Sequence, residues 1–169
     1  MSLLIINMLP EKDPQAIAAI GELTRNLKTE VINAADYNIL PCTGCKSCMC
    51  RTSGMCCLKD DFEKIVRLIF KHMNVAVLTG TSLGFPDHQT MRLLERRFSF
   101  CVKLCEFRDN RIRHIRYKKT FGFGMLYKGN ADRDFLNEWL TVYAEHTDDT
   151  SFGVYPIDCA EELSKCILQ

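Results

Sequence analysis

The sequence has no excess of charge of either sign: 22 lysines and arginines stand against 21 aspartates and glutamates. That balance gives no electrostatic case for nucleic acid or an anionic membrane surface as a partner. Long hydrophobic runs are missing too. The apolar start "MSLLIINM" is too short to cross a bilayer, and it lacks the basic opening and cleavage site of a secretory signal. The expectation is a cytoplasmic protein. There are no repeats, linkers or low-complexity tracts, and 169 residues suit one domain, 1–169, with a core of its own. The four histidines, His72, His88, His114 and His146, are scattered, with no pair at metal-ligand spacing.

Cysteine is what the chain has in quantity, with 10 residues. A chain of this size needs no disulfide scaffold, and in a reducing compartment clustered cysteines point to metal ligands or redox thiols. Six of them fall within "LPCTGCKSCMCRTSGMCCLKDD", a loop centred on residues 41–58. Cys42, Cys45, Cys48 and Cys56 read C-x2-C-x2-C-x7-C, while Cys50 and Cys57 fall outside that rhythm. Close C-x2-C-x2-C spacing lets one loop hold three corners of an iron–sulfur cubane, with a fourth thiolate arriving after a turn. The stretch Thr52, Ser53, Gly54 supplies turn-forming residues before Cys56. Four thiolates also suit structural zinc, although zinc pairs are usually separated by a longer stretch. A redox dithiol at Cys42 and Cys45 is a further reading, but Pro41 and Gly44 argue for a loop rather than a helix start. A vestigial loop without metal stays open as well.

Around the loop, strands and helices alternate. "LLIINM" (3–8) is a short apolar run, as expected of a strand buried on both faces. Residues 13–27 predict a helix capped by Asp13, with Pro14 at its first position and Ile17, Ile20, Leu23 and Leu27 on one face. A second strand is expected over 30–34, a helix over 60–73 and a buried strand over 75–80. A long helix is expected over 87–107, a strand over 119–127, a helix over 132–146, a strand from 151 and a short final helix. This order predicts an open parallel sheet covered on both faces. Ligands of such sheets bind at the carboxyl ends of the strands, here the loops 9–13, 80–86 and 124–131.

The segment "ILPCTGCKSCMCRTSGMCCLKDD", after a β-α-β unit and before an amphipathic helix, resembles the cysteine segment of the iron–sulfur flavoproteins. These belong to the flavodoxin-like superfamily of NAD(P)H-dependent FMN reductases. Pro41, Cys42, Gly44, Cys45, Cys48, Gly54, Cys56, Asp60 and Asp61 stand in the family's order, and Glu95 and Arg96 fall where it carries Asp-Arg. The resemblance covers roughly the first hundred residues well, and the rest by element order alone. It implies an α/β flavodoxin-like three-layer sandwich, with a five-stranded parallel sheet in the order 2-1-3-4-5. It also implies FMN at the strand ends, NAD(P)H as electron donor and a [4Fe–4S] cluster on Cys42, Cys45, Cys48 and Cys56, with Cys57 as substitute for Cys56. Small redox partners, and a homodimer or homotetramer that brings one subunit's cluster near another's flavin, follow from the same resemblance.

The first strand-end loop departs from the family. Where a Ser/Gly-rich phosphate loop is expected, the chain reads "NMLPEKDP", whose Glu11 and Asp13 repel a dianion and whose prolines lack amide donors. Only Asn7, Lys12 and Gln15 remain as helpers. The loop "GTSLGFPDH" offers Thr81, Ser82, Leu83, Gly84 and Phe85 to a flavin, or is an ordinary turn with Asp87 capping the next helix. Gly124 and Tyr127, with Gly129 and Asn130, are candidates in the third loop. The basic stretch "RDNRIRHIRYKK" reads as a solvated connection, Cys101 and Cys105 as small apolar residues one helical turn apart, and Trp139 and Tyr143 as core. Two functions follow: an electron-transfer flavoprotein or FMN-dependent oxidoreductase carrying an iron–sulfur cluster on the cysteine loop, or a flavodoxin-like binding or scaffold protein that has lost FMN, its cysteine loop holding a structural metal or none.

Overall fold

The computed structural model describes residues 2–52, 54–101, 105–108, 111–114, 120–146 and 149–169. Its first strand, β1 (Ser2–Asn7), is buried from Leu3 onward, which its unbroken apolar run requires. Helix α1 (Pro14–Thr24) follows, then β2 (Lys28–Asn33), a short 3-10 turn (Ala34–Asp36) and the cysteine loop with its four-residue helix α2 (Ser47–Cys50). Next come α3 (Phe62–His72), β3 (Asn74–Ser82), β4 (Phe85–Pro86) and α4 (His88–Cys101). A hairpin of β5 (Cys105–Arg108) and β6 (Arg111–His114) precedes β7 (Gly122–Lys128), α5 (Arg133–His146) and β8 (Thr150–Pro156). A 3-10 turn (Ile157–Cys159) leads into α6 (Ala160–Leu168).

The main sheet runs β2-β1-β3-β7-β8, all pairs parallel, and β4 adds a short antiparallel edge to the end of β3. In terms of the five parallel strands this is the order 2-1-3-4-5 expected for a flavodoxin-like sheet. One face is covered by α1 and α6 through Ala16, Ala19, Leu23, Leu163 and Ile167. The other carries α3, with Phe62, Ile65 and Ile69 against β1 and β3, and the α4–α5 cluster around Leu94, Leu136 and Leu140.

Three expectations are corrected. Ile17 is 56% exposed, because α1 seats its narrow Ala16/Ala19/Leu23 stripe on the sheet and turns Ile17 outward. The long helix does not reach 107, because residues 105–108 form strand β5. Beyond it, "CEFR" and "RIRH" are separated by Asp-Asn, a composition that favours a two-residue hairpin over a continued helix. Cys101 and Cys105 therefore do not share a helix, and their side chains fall outside the described residues, as do residues 109, 110 and 115–119 of the basic stretch. Trp139 and Tyr143 do stack on each other, with ring centroids 5.7 Å apart, beside the buried α4–α5 cluster.

Candidate functional site

Two features of the site lie at or near the carboxyl ends of the strands: the cysteine loop, and the meeting of the loops after β1, β3 and β7.

The cysteine loop leaves β2 and turns back through two residues in the left-handed region, Gly44 (φ 65°) and Lys46 (φ 56°). Its path is pinned at both ends by carboxylates. Leu40 N–H donates to Asp60 Oδ2 at 2.8 Å, Asn38 N–H to Asp61 Oδ2 at 2.9 Å, and Cys42 N–H to Glu95 Oε1 of α4 at 2.7 Å. Asp60 Oδ1 also accepts from Phe62 N–H at 3.2 Å, at the start of α3. Within this frame Cys42, Cys45, Cys48, Cys56 and Cys57 line one cavity with Glu95, Arg96 and Ser99, while Cys50 stands exposed on α2 outside it.

The electrostatics of that cavity are uneven. Arg96 is buried in an ion pair with Asp60, packs 4.3 Å over the Phe62 ring, donates to Leu40 C=O at 3.1 Å and shares the cavity wall with Cys56. Cys45 and Cys57 lie with their sulfurs 3.5 Å apart. The Ser47 N–H, helped by Cys57, pulls the Cys45 thiol below its ordinary value, while the bond to Cys45 pushes the Cys57 thiol up. Burial raises Cys48. Among the described residues no group of three or more His, Cys, Asp or Glu side chains is set to hold a single metal ion. By donor chemistry the convergent thiols suit an iron–sulfur cluster, which thiolates hold.

The three strand-end loops touch one another. Thr81 Oγ1 donates toward Lys128 C=O (3.4 Å) and Asn130 C=O (3.2 Å), and Lys128 Nζ forms an ion pair with Asp13. Leu83 (φ 53°) and Gly84 (φ 78°) form the tip of the β3–β4 hairpin, where two successive positive φ values fit a tight two-residue turn. Leu83 is fully exposed there, and Phe85 turns inward against Trp139, 4.8 Å between centroids. Thr81, Ser82, Leu83, Gly84 and Phe85 are thus all on this hairpin. Gly124 is not brought to the loops. It lies inside β7 facing Leu163 of α6, and Tyr127, 7% exposed, is built into the α4–α5 cluster.

The position for a flavin phosphate is occupied by the chain itself. Asp13 caps α1 as expected: its Oδ1 accepts from Gln15 N–H (3.0 Å) and Ala16 N–H (3.1 Å), and its carbonyl from Ile17 N–H (3.0 Å). Pro14 has no N–H to give. Asn7, 1% exposed, is spent on tying β1 to β2, donating to Asn33 Oδ1 at 3.1 Å and accepting from Leu9 N–H at 3.1 Å. Lys12 and Gln15 carry their side chains into solvent. As it stands, the first turn of α1 does not fit a phosphate. The sequence reading missed Lys128, whose only signal is its place at the end of a buried strand, and the burial of Arg96.

No family model matches the chain. It is 29% identical over 82 residues to an iron–sulfur flavoprotein of Methanocaldococcus jannaschii, covering 48% of this chain and 40% of that protein. An iron–sulfur flavoprotein of Archaeoglobus fulgidus is 26% identical over 148 residues, covering 85% of this chain and 68% of that one. The chain thus spans well under half of the first of these relatives and about two thirds of the second. Among solved structures, RosB with a bound 8-demethyl-8-formylriboflavin-5'-phosphate intermediate superposes with TM-score 0.70 at 14% identity, covering 100% of this chain and 77% of RosB. The NAD(P)H:quinone oxidoreductase from Methanothermobacter marburgensis gives TM-score 0.61 at 10% identity, covering 98% and 95%. The fold is therefore flavodoxin-like, and the similarity to iron–sulfur flavoproteins suggested by the cysteine segment is found in the chain's relatives. Among the described residues no helix is long and apolar enough to cross a membrane.

Proposed function

We propose that this chain is an electron-transfer protein of the iron–sulfur flavoprotein type, a single domain over 1–169 working in the cytoplasm. Cys42, Cys45, Cys48 and Cys56 hold a [4Fe–4S] cluster. The observation that carries this is the convergence of these thiols on one cavity beside a buried guanidinium. When bound, such a cluster supplies single-electron transfer, and a flavin couples it to two-electron donors such as NAD(P)H. The chain's own residues do the rest. The Asp60 and Asp61 carboxylates hold the loop's entry, Arg96 places a positive charge against Cys56, and Gly44 and Lys46 let the backbone curl so that successive cysteines face inward. Thr81 to Phe85, with Asn130, are the residues offered to a flavin ring. Lys12 and Gln15 stand at the mouth of the first loop, while Gly124 and Tyr127 support the sheet beneath it. Homo-oligomerisation, as a dimer or tetramer, and small redox partners complete the reading.

Anaerobically purified protein tests it by its absorbance spectrum, with iron, sulfide, zinc and flavin measured on the same sample. About four irons and four sulfides per chain are expected. Zinc without iron overturns the cluster. One observation favours a second reading, a scaffold protein that has lost FMN: the first turn of α1 is filled by Asp13. Cluster and flavin both absent after reconstitution would select it.

A further inference from the structure

We propose that Asp13 has taken over the anion position at the start of α1, so that this chain gives the 5'-phosphate of a flavin no anchorage and does not favour FMN over riboflavin. The inference rests on the flavin half of the proposed function. It concerns which flavin the strand ends accept.

A phosphate at a strand end needs free amides in the first turn of the following helix and a cation beside them. Here each amide of the first turn is accounted for. The amides of Gln15 and Ala16 bond Asp13 Oδ1, that of Ile17 bonds the Asp13 carbonyl, and Pro14 has none. The adjacent cation is engaged as well: Lys128, arriving from the end of β7, pairs with the second carboxylate oxygen of Asp13. The Asp13 side chain is only 10% exposed. The loop is closed behind it by the Asp13 N–H donating to Pro10 C=O at 2.9 Å. Lys128, together with the Ala16 amide, holds the Asp13 carboxyl below the ordinary carboxylate range, so it is an anion at neutral pH. A phosphate dianion entering here would have to strip the helix of its cap, break the ion pair and settle beside both Asp13 and the exposed Glu11. Riboflavin, whose ribityl tail ends in a neutral hydroxyl, meets none of these costs. Asp13 is therefore a specificity-determining residue acting against the phosphate, and Lys128 is the cation it withholds.

The test is the dissociation constant of FMN and of riboflavin, by quenching of flavin fluorescence, for the full chain and for Asp13→Asn. Asparagine caps a helix as well as aspartate does but removes the charge. The unaltered chain is expected to bind FMN no more tightly than riboflavin, and Asp13→Asn to gain about tenfold in FMN affinity with riboflavin little changed. An FMN preference above about threefold in the unaltered chain overturns the inference, and needs no variant to be read. An FMN-to-riboflavin ratio that Asp13→Asn leaves unchanged overturns the role of Asp13. If neither flavin binds either protein, the flavin half of the proposed function falls and takes the inference with it; a clear FMN preference removes the inference alone.

Discussion

Arg96 of α4 and Asp60, at the exit of the cysteine loop, form a two-pronged ion pair in which both side chains are 1% exposed. One prong, Arg96 Nη2 to Asp60 Oδ1, measures 3.0 Å. The pair also grips the loop's entry, since Leu40 gives its N–H to Asp60 and its carbonyl to Arg96. Chain entering and chain leaving the loop are thereby fixed to one helix. Removing either partner strands a buried charge, which costs about 3–5 kcal/mol. Asp60→Asn and Arg96→Met are each expected to lose that much stability in urea denaturation. A loss under about 1 kcal/mol would mean that water reaches the pair.

The same pair sets an acid limit. Burial by itself raises the Asp60 carboxyl, but Arg96 and the amides of Leu40 and Phe62 outweigh it and hold the group below its ordinary value of 3.8. A carboxylate more acidic in the folded state contributes stability that is fully present above its unfolded value. That stability is lost as pH falls through the folded one. Unfolding midpoints should hold steady from neutral pH down to about 5 and then fall steeply below about 4. Asp60→Asn should flatten the steep part of that profile; an acid limb identical in the variant would place its origin elsewhere.

Cys56 and Cys57 both border the cavity, and the geometry separates them. Cys56 shares its cavity wall with the guanidinium of Arg96, whereas Cys57 lies with its sulfur 3.5 Å from that of Cys45, and the bond to Cys45 pushes the Cys57 thiol up. In anaerobic iron assays Cys56→Ser is expected to lose most of its iron, Cys57→Ser to keep it, and Cys50→Ser to behave as the unaltered chain. Loss of iron in Cys57→Ser with retention in Cys56→Ser would reverse the assignment of the fourth ligand.

What the sequence made legible was local. The cysteine rhythm, Asp13 before Pro14 and Asp87 ahead of α4 are each settled within a few residues, and the structure places both caps as expected. The apolar runs marked a parallel sheet covered on both faces, while its strand order came with the resemblance to the flavodoxin-like family. Less legible were residues whose neighbours are far along the chain. Arg96 and Arg97 look like surface charge, yet Arg97 is 2% exposed, paired with Asp149 and lying 3.9 Å over the Phe123 ring. No helical pattern announces two adjacent buried arginines, because their partners come from the cysteine loop and from the start of β8. Lys128 was missed for the same reason: Asp13 is 115 residues away.

Gly124 is the clearest case of a residue whose meaning changed, and it yields a sharp stability prediction. In sequence it stood among candidate flavin contacts; in the fold it is a point where Leu163 of α6 presses onto β7. A Cβ built on it would lie 2.4 Å from Leu163 Cδ1 and 3.2 Å from Phe152 Cβ. Leu163 is fully buried in the α1–α6 face of the core, so it has little room to withdraw. Gly124→Ala should therefore destabilise the domain by about 1–3 kcal/mol through overpacking. Flavin affinity of the protein that does fold should stay unchanged. Pairing it with Leu163→Val, which removes bulk at the contact, should recover part of the loss if the clash is the cause. Gly124→Ala at full stability but with weakened flavin binding would return the residue to the ligand site.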